Sequence, residues 1–139
     1  MRPKSISKLL SANDTGETGG HQAGILVPKR PELLGFFPRL DPEQYNPRVH
    51  LHFTDGSGDR WQFAFIYYNN RFFGGTRNEY RLTRMTKYIR ASGLVTGDVV
   101  ELSRDDADEY RVDFVRKNSV AVNEKGVLSL GSGWRVIDL

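Results

Sequence analysis

IYYNNRFFGGTRNEYR, residues 66–81, decides how the chain is read. It opens as an aromatic, apolar strand and breaks at Asn69-Asn70 and again at Gly74-Gly75. It ends in a run of Arg77, Asn78, Glu79, Tyr80 and Arg81, which reads as a strand feeding an exposed, basic loop. Arg77 and Arg81 each carry a planar fork that matches the O6 and N7 acceptors of guanine, and Glu79 can accept from cytosine N4. The same residue types also pair with one another across a loop, so mutual charge pairing is the plain alternative.

Working outward, the stretch is preceded by an alternating run. Val49, Leu51 and Phe53 interleave with His50, His52 and Thr54, the period-2 signature of a half-buried strand. Residues 55–59 supply a turn, and residues 61–68 form a denser apolar run with Trp61, Phe63, Phe65 and Tyr67 on one face. Together they predict a hairpin. After the stretch, Thr83 reads as the N-cap of a helix over residues 84–92 that stops at Gly93. Arg84, Lys87 and Arg90 recur along its polar side.

Further out, residues 5–10 read as a first strand and residues 11–22 as a polar loop rich in small donors and acceptors. Such loops are common surface turns, but one near twelve residues in a compact domain favours a binding role. That makes Asn13, Asp14, Thr15, His21 and Gln22 candidates to face a ligand. Residues 25–27 are a short apolar run ending at Pro28, and Pro31 opens a brief helix that Gly35 weakens and Pro38 stops. Residues 99–102, 110–115, 119–122 and 134–137 add short strands, with an acidic turn at residues 105–109. The pattern is mainly β with two short helices, which suggests a barrel closed or nearly so.

Composition narrows the function classes. At 139 residues, 38% hydrophobic and 27% charged, the chain fits one domain spanning residues 1–139, with a flexible basic tail over residues 1–4. It has no cysteine and three histidines, so disulfides and thiolate metal sites are excluded; no metal or cofactor is expected. No apolar run approaches the roughly 18 residues of a membrane span, and the start lacks a signal-peptide core, so no membrane partner and a cytoplasmic location are expected. The net charge is only +3, but residues 71–90 hold six basic residues against Glu79 alone. That local excess of five leaves the rest of the chain slightly acidic, and such a patch is what attraction to a polyanion requires. No Asp followed by Glu-x-Lys and no nucleophile elbow is present, so a small nuclease using His21 is a weaker reading. A single-strand binder stacking bases on Tyr67, Tyr68, Phe72 and Phe73 is a third.

The order of parts carries a resemblance. Ile25-Leu-Val-Pro-Lys29 after the first polar arm, and Leu82-Thr-Arg with Gly93-Leu-Val-Thr-Gly-Asp-Val-Val100 around the second helix, resemble the B3 DNA-binding pseudobarrel of about seven strands. Residues 11–22, Ile66-Tyr-Tyr-Asn69 and Thr76-Arg-Asn-Glu79 are similar to the N-terminal effector domain of EcoRII-type restriction endonucleases. The resemblance implies a module that grips double-stranded DNA from the major groove with two arms and reads a CCWGG-like site. It carries His21 into the first arm and Arg71, Arg77, Glu79 and Arg81 into the second, with Gly75, Thr76, Asn78 and Tyr80 in the same segment. Gly75 and Tyr80 stand where that family has lysines, and Leu26 where it has a tyrosine, so an identical target does not follow. It implies a monomeric, non-catalytic chain, with a nuclease domain elsewhere in the full-length protein. A stand-alone B3-type transcription regulator is the alternative.

Overall fold

The computed structural model describes residues 2–17, 24–117, 127–129 and 133–137. In chain order the elements are β1 (Ser5–Leu9), α1 (Ala12–Thr15), β2 (Ile25–Val27), α2 (Pro31–Leu34), β3 (Arg48–Thr54) and β4 (Arg60–Tyr68). A 3-10 turn (Asn70–Phe73) leads to β5 (Glu79–Thr83), α3 (Thr86–Ala91), β6 (Val99–Arg104), β7 (Tyr110–Val115), β8 (Val127–Ser129) and β9 (Trp134–Ile137).

The alternating runs pair as their period demands. β3 and β4 form the expected hairpin, with Val49 opposite Phe65, Leu51 opposite Phe63 and Phe53 opposite Trp61. In β4, residues 63–67 are buried on both faces, which explains why this strand is denser in apolar residues than β3. Among the described residues nine strands make one sheet in the order β2-β5-β4-β3-β7-β6-β1-β9-β8. Every pairing is antiparallel except β3 with β7, a parallel seam of two residue pairs, Phe53 with Tyr110 and Thr54 with Arg111. The sheet curls so that its first strand returns towards its far end. There the indole Nε1 of Trp134 in β9 donates to the carbonyl of Leu26 in β2 at 2.8 Å, closing the gap as a side-chain bond instead of a strand ladder. Ile6, Leu33, Phe36, Phe53, Phe63, Leu82, Val112 and Val136 fill the interior and are fully buried. Each contributes roughly 1.5–3 kcal/mol of transfer free energy.

The sheet has more strands than the sequence pattern predicts, for two reasons. β5 occupies residues assigned to an exposed loop, and β8 is a three-residue strand with no pattern of its own. The strand expected over residues 119–122 lies outside the described residues. The helix expected from Arg84 begins at Thr86, because Thr83 is claimed by β5, where its hydroxyl donates to the Ala64 carbonyl at 3.3 Å. Arg84 then takes a left-handed conformation, φ 66°, which breaks the chain between strand and helix. Nor do residues 2–4 form a loose tail. Arg2 donates to the carbonyls of Gly35 and Phe36, Pro3 is buried, and the carbonyl of Pro3 accepts from Arg104 Nε.

The polar run after β1 also holds a helix. Ser11 caps α1 through a reciprocal box in which its hydroxyl accepts from the Asp14 amide, while the Asp14 carboxylate accepts from the Ser11 amide at 2.9 Å. The same carboxylate lies 3.0 Å from Lys8 Nζ, and both side chains are only 8% exposed. The base of the first arm is therefore pinned to β1 by a buried ion pair. Breaking such a pair leaves a charge without a partner in low dielectric, which costs far more than losing a surface bridge. Asp14→Ala is expected to lower stability by about 3–5 kcal/mol in urea unfolding, and Lys8→Met combined with Asp14→Ala to recover most of that loss.

Candidate nucleic-acid interface

Strand period places three charged residues of the opening stretch together. Arg77 lies just before β5, and Glu79 and Arg81 lie within it at alternate positions, so all three side chains emerge on the outer face. Arg77 Nε donates to Glu79 Oε1 at 2.9 Å, and its Nη2 lies 2.8 Å from the same oxygen. Arg81 Nη2 donates to Glu79 Oε2 at 3.2 Å and its Nη1 to the Gly24 carbonyl at 2.9 Å. The Arg77 guanidinium also lies flat over Tyr68, 3.8 Å from the ring centroid. Mutual charge pairing, the plain alternative at the level of sequence, is thus present. It does not exhaust the donors, because a guanidinium carries five N–H groups and each arginine here commits two nitrogens.

Burial pushes the Glu79 carboxyl up, but the hydrogen bonds and charges of Arg77 and Arg81 outweigh it and hold it below the ordinary glutamate range. Glu79 is therefore an acceptor-only carboxylate at neutral pH. The group presents donor, acceptor, donor in a fixed order, each side chain held by its neighbour.

The second arm, between β4 and β5, is braced from within. Asn70 Oδ1 accepts from the Arg77 amide and the Asn70 carbonyl from the Gly75 amide, both at 2.7 Å; the Arg71 amide donates back to the Arg77 carbonyl at 2.9 Å. The Tyr67 hydroxyl donates to Asn78 Oδ1 at 2.7 Å. A Cβ at Gly75 would stand 2.5 Å from Asn70 Oδ1, so a side chain there requires the Asn70 amide to shift from its bond with the Arg77 N–H. At the root, fully buried Asn69 donates through Nδ2 to the carbonyls of Pro42 and Gln44 and accepts the Asn46 amide on Oδ1. Arg71 and Thr76 are exposed on this arm, beside exposed Phe72 and Phe73.

Tyr80 is not with the charged group. Alternation turns it to the inner face, where it stacks on Tyr67 at 4.3 Å and on Phe65 at 5.6 Å. With Tyr67 buried in that stack and Tyr68 beneath Arg77, only Phe72 and Phe73 of the four proposed stacking platforms remain open. In the first arm, Asp14 is held by Lys8 and the helix cap, and the Thr15 hydroxyl donates to the Ala12 carbonyl. Asn13 lines a cleft against β2. His21 and Gln22 lie outside the described residues.

The register of β2 with β5 relates the arms. Ile25 faces Leu82 and Val27 faces Tyr80, so the first arm enters where β5 ends and the second leaves where β5 begins. Gly24 makes this approach possible, since a Cβ there would come within 2.6 Å of Thr83. Four residues of strand separate the two roots, about 13 Å, close to the width of a B-DNA major groove of about 12 Å. Between them runs a cross-strand row of Leu26, Arg81, Ile66 and Arg48, in which Ile66 is buried and the other three reach the surface. Arg48 and Arg84 share a cleft of about 400 Å³ with Tyr68 and Thr83 at its edge. Sequence reasoning did not single out Arg48, because only the pairing of β3 with β4 and β5 brings it onto this row.

Comparison with known proteins follows the same outline. A family model described as restriction endonuclease EcoRII, N-terminal, matches residues 4–115. The type II restriction enzyme EcoRII of Escherichia coli is 44% identical over 97 residues, covering 64% of this chain and 24% of that enzyme. Auxin response factor 4 of Arabidopsis thaliana is 32% identical over 114 residues, covering 82% of this chain and 13% of that protein. The chain thus spans a quarter or less of the length of these relatives. Among solved structures, the Arabidopsis FUS3–DNA complex superposes with a TM-score of 0.60 at 20% identity, covering 79% of this chain and 94% of that one. That likeness identifies the architecture as a B3-like pseudobarrel. Since the family model covers most of the chain, the protein belongs to the EcoRII N-terminal domain family.

Proposed function

We propose that this chain recognises a short sequence in double-stranded DNA from the major groove. In this reading it is a monomeric target-recognition domain of a restriction endonuclease whose cleavage chemistry lies in another part of the full-length protein. The observation that carries the reading is the ordered group of Arg77, Glu79 and Arg81, fixed on the outer face of β5 between the roots of two arms. Guanine offers O6 and N7 to an arginine fork, and cytosine offers N4–H to a carboxylate, so alternating donors and an acceptor match adjacent G·C pairs of either orientation. The relative 44% identical is named as a type II restriction enzyme, and a CCWGG-like site, two G·C pairs on each side of one A·T pair, fits this alternation.

Affinity comes from other residues. Arg48 and Arg84 lie at the end of this row and Arg71 stands exposed on the second arm, positions suited to phosphates on either side of a groove. The first arm contributes Asn13 and Thr15 near its base, and the reading assigns DNA contact to His21 and Gln22 of the same arm, which lie outside the described residues. The conformation of Arg84 fits a functional role. An arginine at φ 66° carries a backbone cost that glycine would not, and such cost persists where a side chain is needed in that place.

Binding of the purified chain to duplexes containing CCWGG and to scrambled duplexes, measured across salt concentrations, tests the reading. Preference for the former and a steep fall of affinity with salt are expected; salt-independent or undetectable binding to every duplex overturns it. Arg77→Ala and Arg81→Ala are each expected to cost about 1–3 kcal/mol on the preferred site and to relax base preference. Arg48→Ala is expected to weaken all duplexes alike and to reduce the salt slope by about 0.9. Arg84→Gly separates stability from binding: urea unfolding should show a gain of up to about 1 kcal/mol, while every duplex binds more weakly.

A further inference from the structure

Beside the charged group lies a surface that the reading of G·C pairs does not use. Leu26, the middle residue of β2, points outward because its neighbours Ile25 and Val27 are both buried in the core, and it is 40% exposed. The ladder sets it directly opposite Arg81. Leu9, at the end of β1, is 46% exposed. Both leucines line one cleft of about 540 Å³, together with Arg81, Ser11, Asn13 and the paired Lys8 and Asp14. The Lys8 ammonium is withdrawn from the opening, held by Asp14 at 3.0 Å and by the Leu9 carbonyl at 2.9 Å. The cleft therefore sets two exposed leucines beside the Arg81 guanidinium, with its polar lining at the first-arm side. Its backbone is fixed, because the Leu26 carbonyl accepts from Trp134 and the Gly24 carbonyl from Arg81.

We infer that Leu26, with Leu9 behind it, is the contact for the C5-methyl group of a thymine in the base pair next to the one read by Arg81. This deepens the proposed function and rests on it. Two arguments commit the surface to this occupant. The first is continuity: Leu26 belongs to the same cross-strand row as Arg81 and Arg48, so any duplex laid on that row covers it. The second is chemical complementarity. The major-groove edge of B-DNA is a set of hydrogen-bond donors and acceptors with one apolar feature, the thymine methyl, and an exposed leucine among base-reading polar groups has no other apolar partner there. A donor fork and an apolar contact side by side specify a G·C pair followed by an A·T pair in one orientation. A polar residue at position 26 would read the same edge through thymine O4 instead, so this position tunes the A·T step independently of the arginines.

Uracil differs from thymine only by that methyl, which makes the test direct. A duplex carrying CCTGG is compared with versions in which each thymine in the site and its flanks is replaced singly by uracil, using the wild-type chain and the variants Leu26→Ala and Leu26→Met. For the wild-type chain one position is expected to lose roughly fourfold in affinity on replacement, the worth of one buried methyl-sized group. Leu26→Ala should bind thymine and uracil at that position equally while keeping its preference for G·C over other neighbouring pairs. Leu26→Met, of similar volume, should keep the discrimination, and thermal unfolding of both variants should match the wild type because the side chain is on an edge strand and half exposed. If no thymine is sensitive to replacement although CCTGG is still preferred over scrambled duplexes, the inference is wrong and the proposed function stands. The inference fails equally if Leu26→Ala retains the full thymine preference. If no duplex is preferred at all, the proposed function itself fails and the inference falls with it.

Discussion

One hydrogen bond holds the surface proposed to meet DNA in register with the rest of the molecule. β2 is three residues long and sits at the edge of the sheet, too short to be stable by its own ladder. Its outer flank would expose unpaired backbone groups, and the Trp134 indole meets one of them by donating to Leu26. Everything the site needs is then positioned in turn. β2 registers β5, the Gly24 carbonyl at its start orients Arg81, Arg81 holds one oxygen of Glu79, and Glu79 holds Arg77 through the other. Trp134 itself is almost fully buried. The anchor is thus set by the core and not by the surface it supports.

Within that frame, the charged group is better understood as orientation than as stability. The three side chains are partly exposed, and ion pairs in that environment contribute little to folding. What the pairing changes is freedom. A free arginine loses rotamer entropy on meeting any ligand, whereas Arg77 is already fixed between the Tyr68 ring and Glu79, which favours the proposed base contact. The carboxylate has a second effect, since a purely cationic strip attracts any polyanion and discriminates poorly. One acceptor placed between two donors penalises every base edge that lacks a donor at that point.

Much of the architecture is legible in the chain because burial imposes period. Val49 to Phe53 alternates cleanly and forms β3, and the aromatic run of β4 follows as its hairpin partner. β5 is hidden because Glu79 and Arg81 are weak strand formers and because its outer partner, β2, is only three residues long; tertiary pairing overrides propensity there. The role of Asp14 is hidden for a different reason. Ser11 and Asp14 have the spacing of a capping box, but in a run rich in Gly, Asn and Thr that spacing looks the same as a turn. The ion pair with Lys8 depends on the path of β1 and has no signal in sequence. Glu79 and its two arginines are legible as a group, yet the faces are not. Only the pleat separates them from Tyr80, and only the register adds Arg48 and Leu26.

The close approach of Gly75 to Asn70 constrains how the second arm can vary. Since a Cβ at position 75 would fall 2.5 Å from the Asn70 amide oxygen, a side chain cannot appear there until the asparagine has moved or been replaced. The asparagine in turn closes the arm on the Arg77 amide, so replacing it first loosens the loop. Neither single step is free, and the two positions are expected to vary as a pair. Randomising position 75 alone therefore works against the Asn70 contact, whereas varying positions 70 and 75 together gives a long side chain room to extend from the arm.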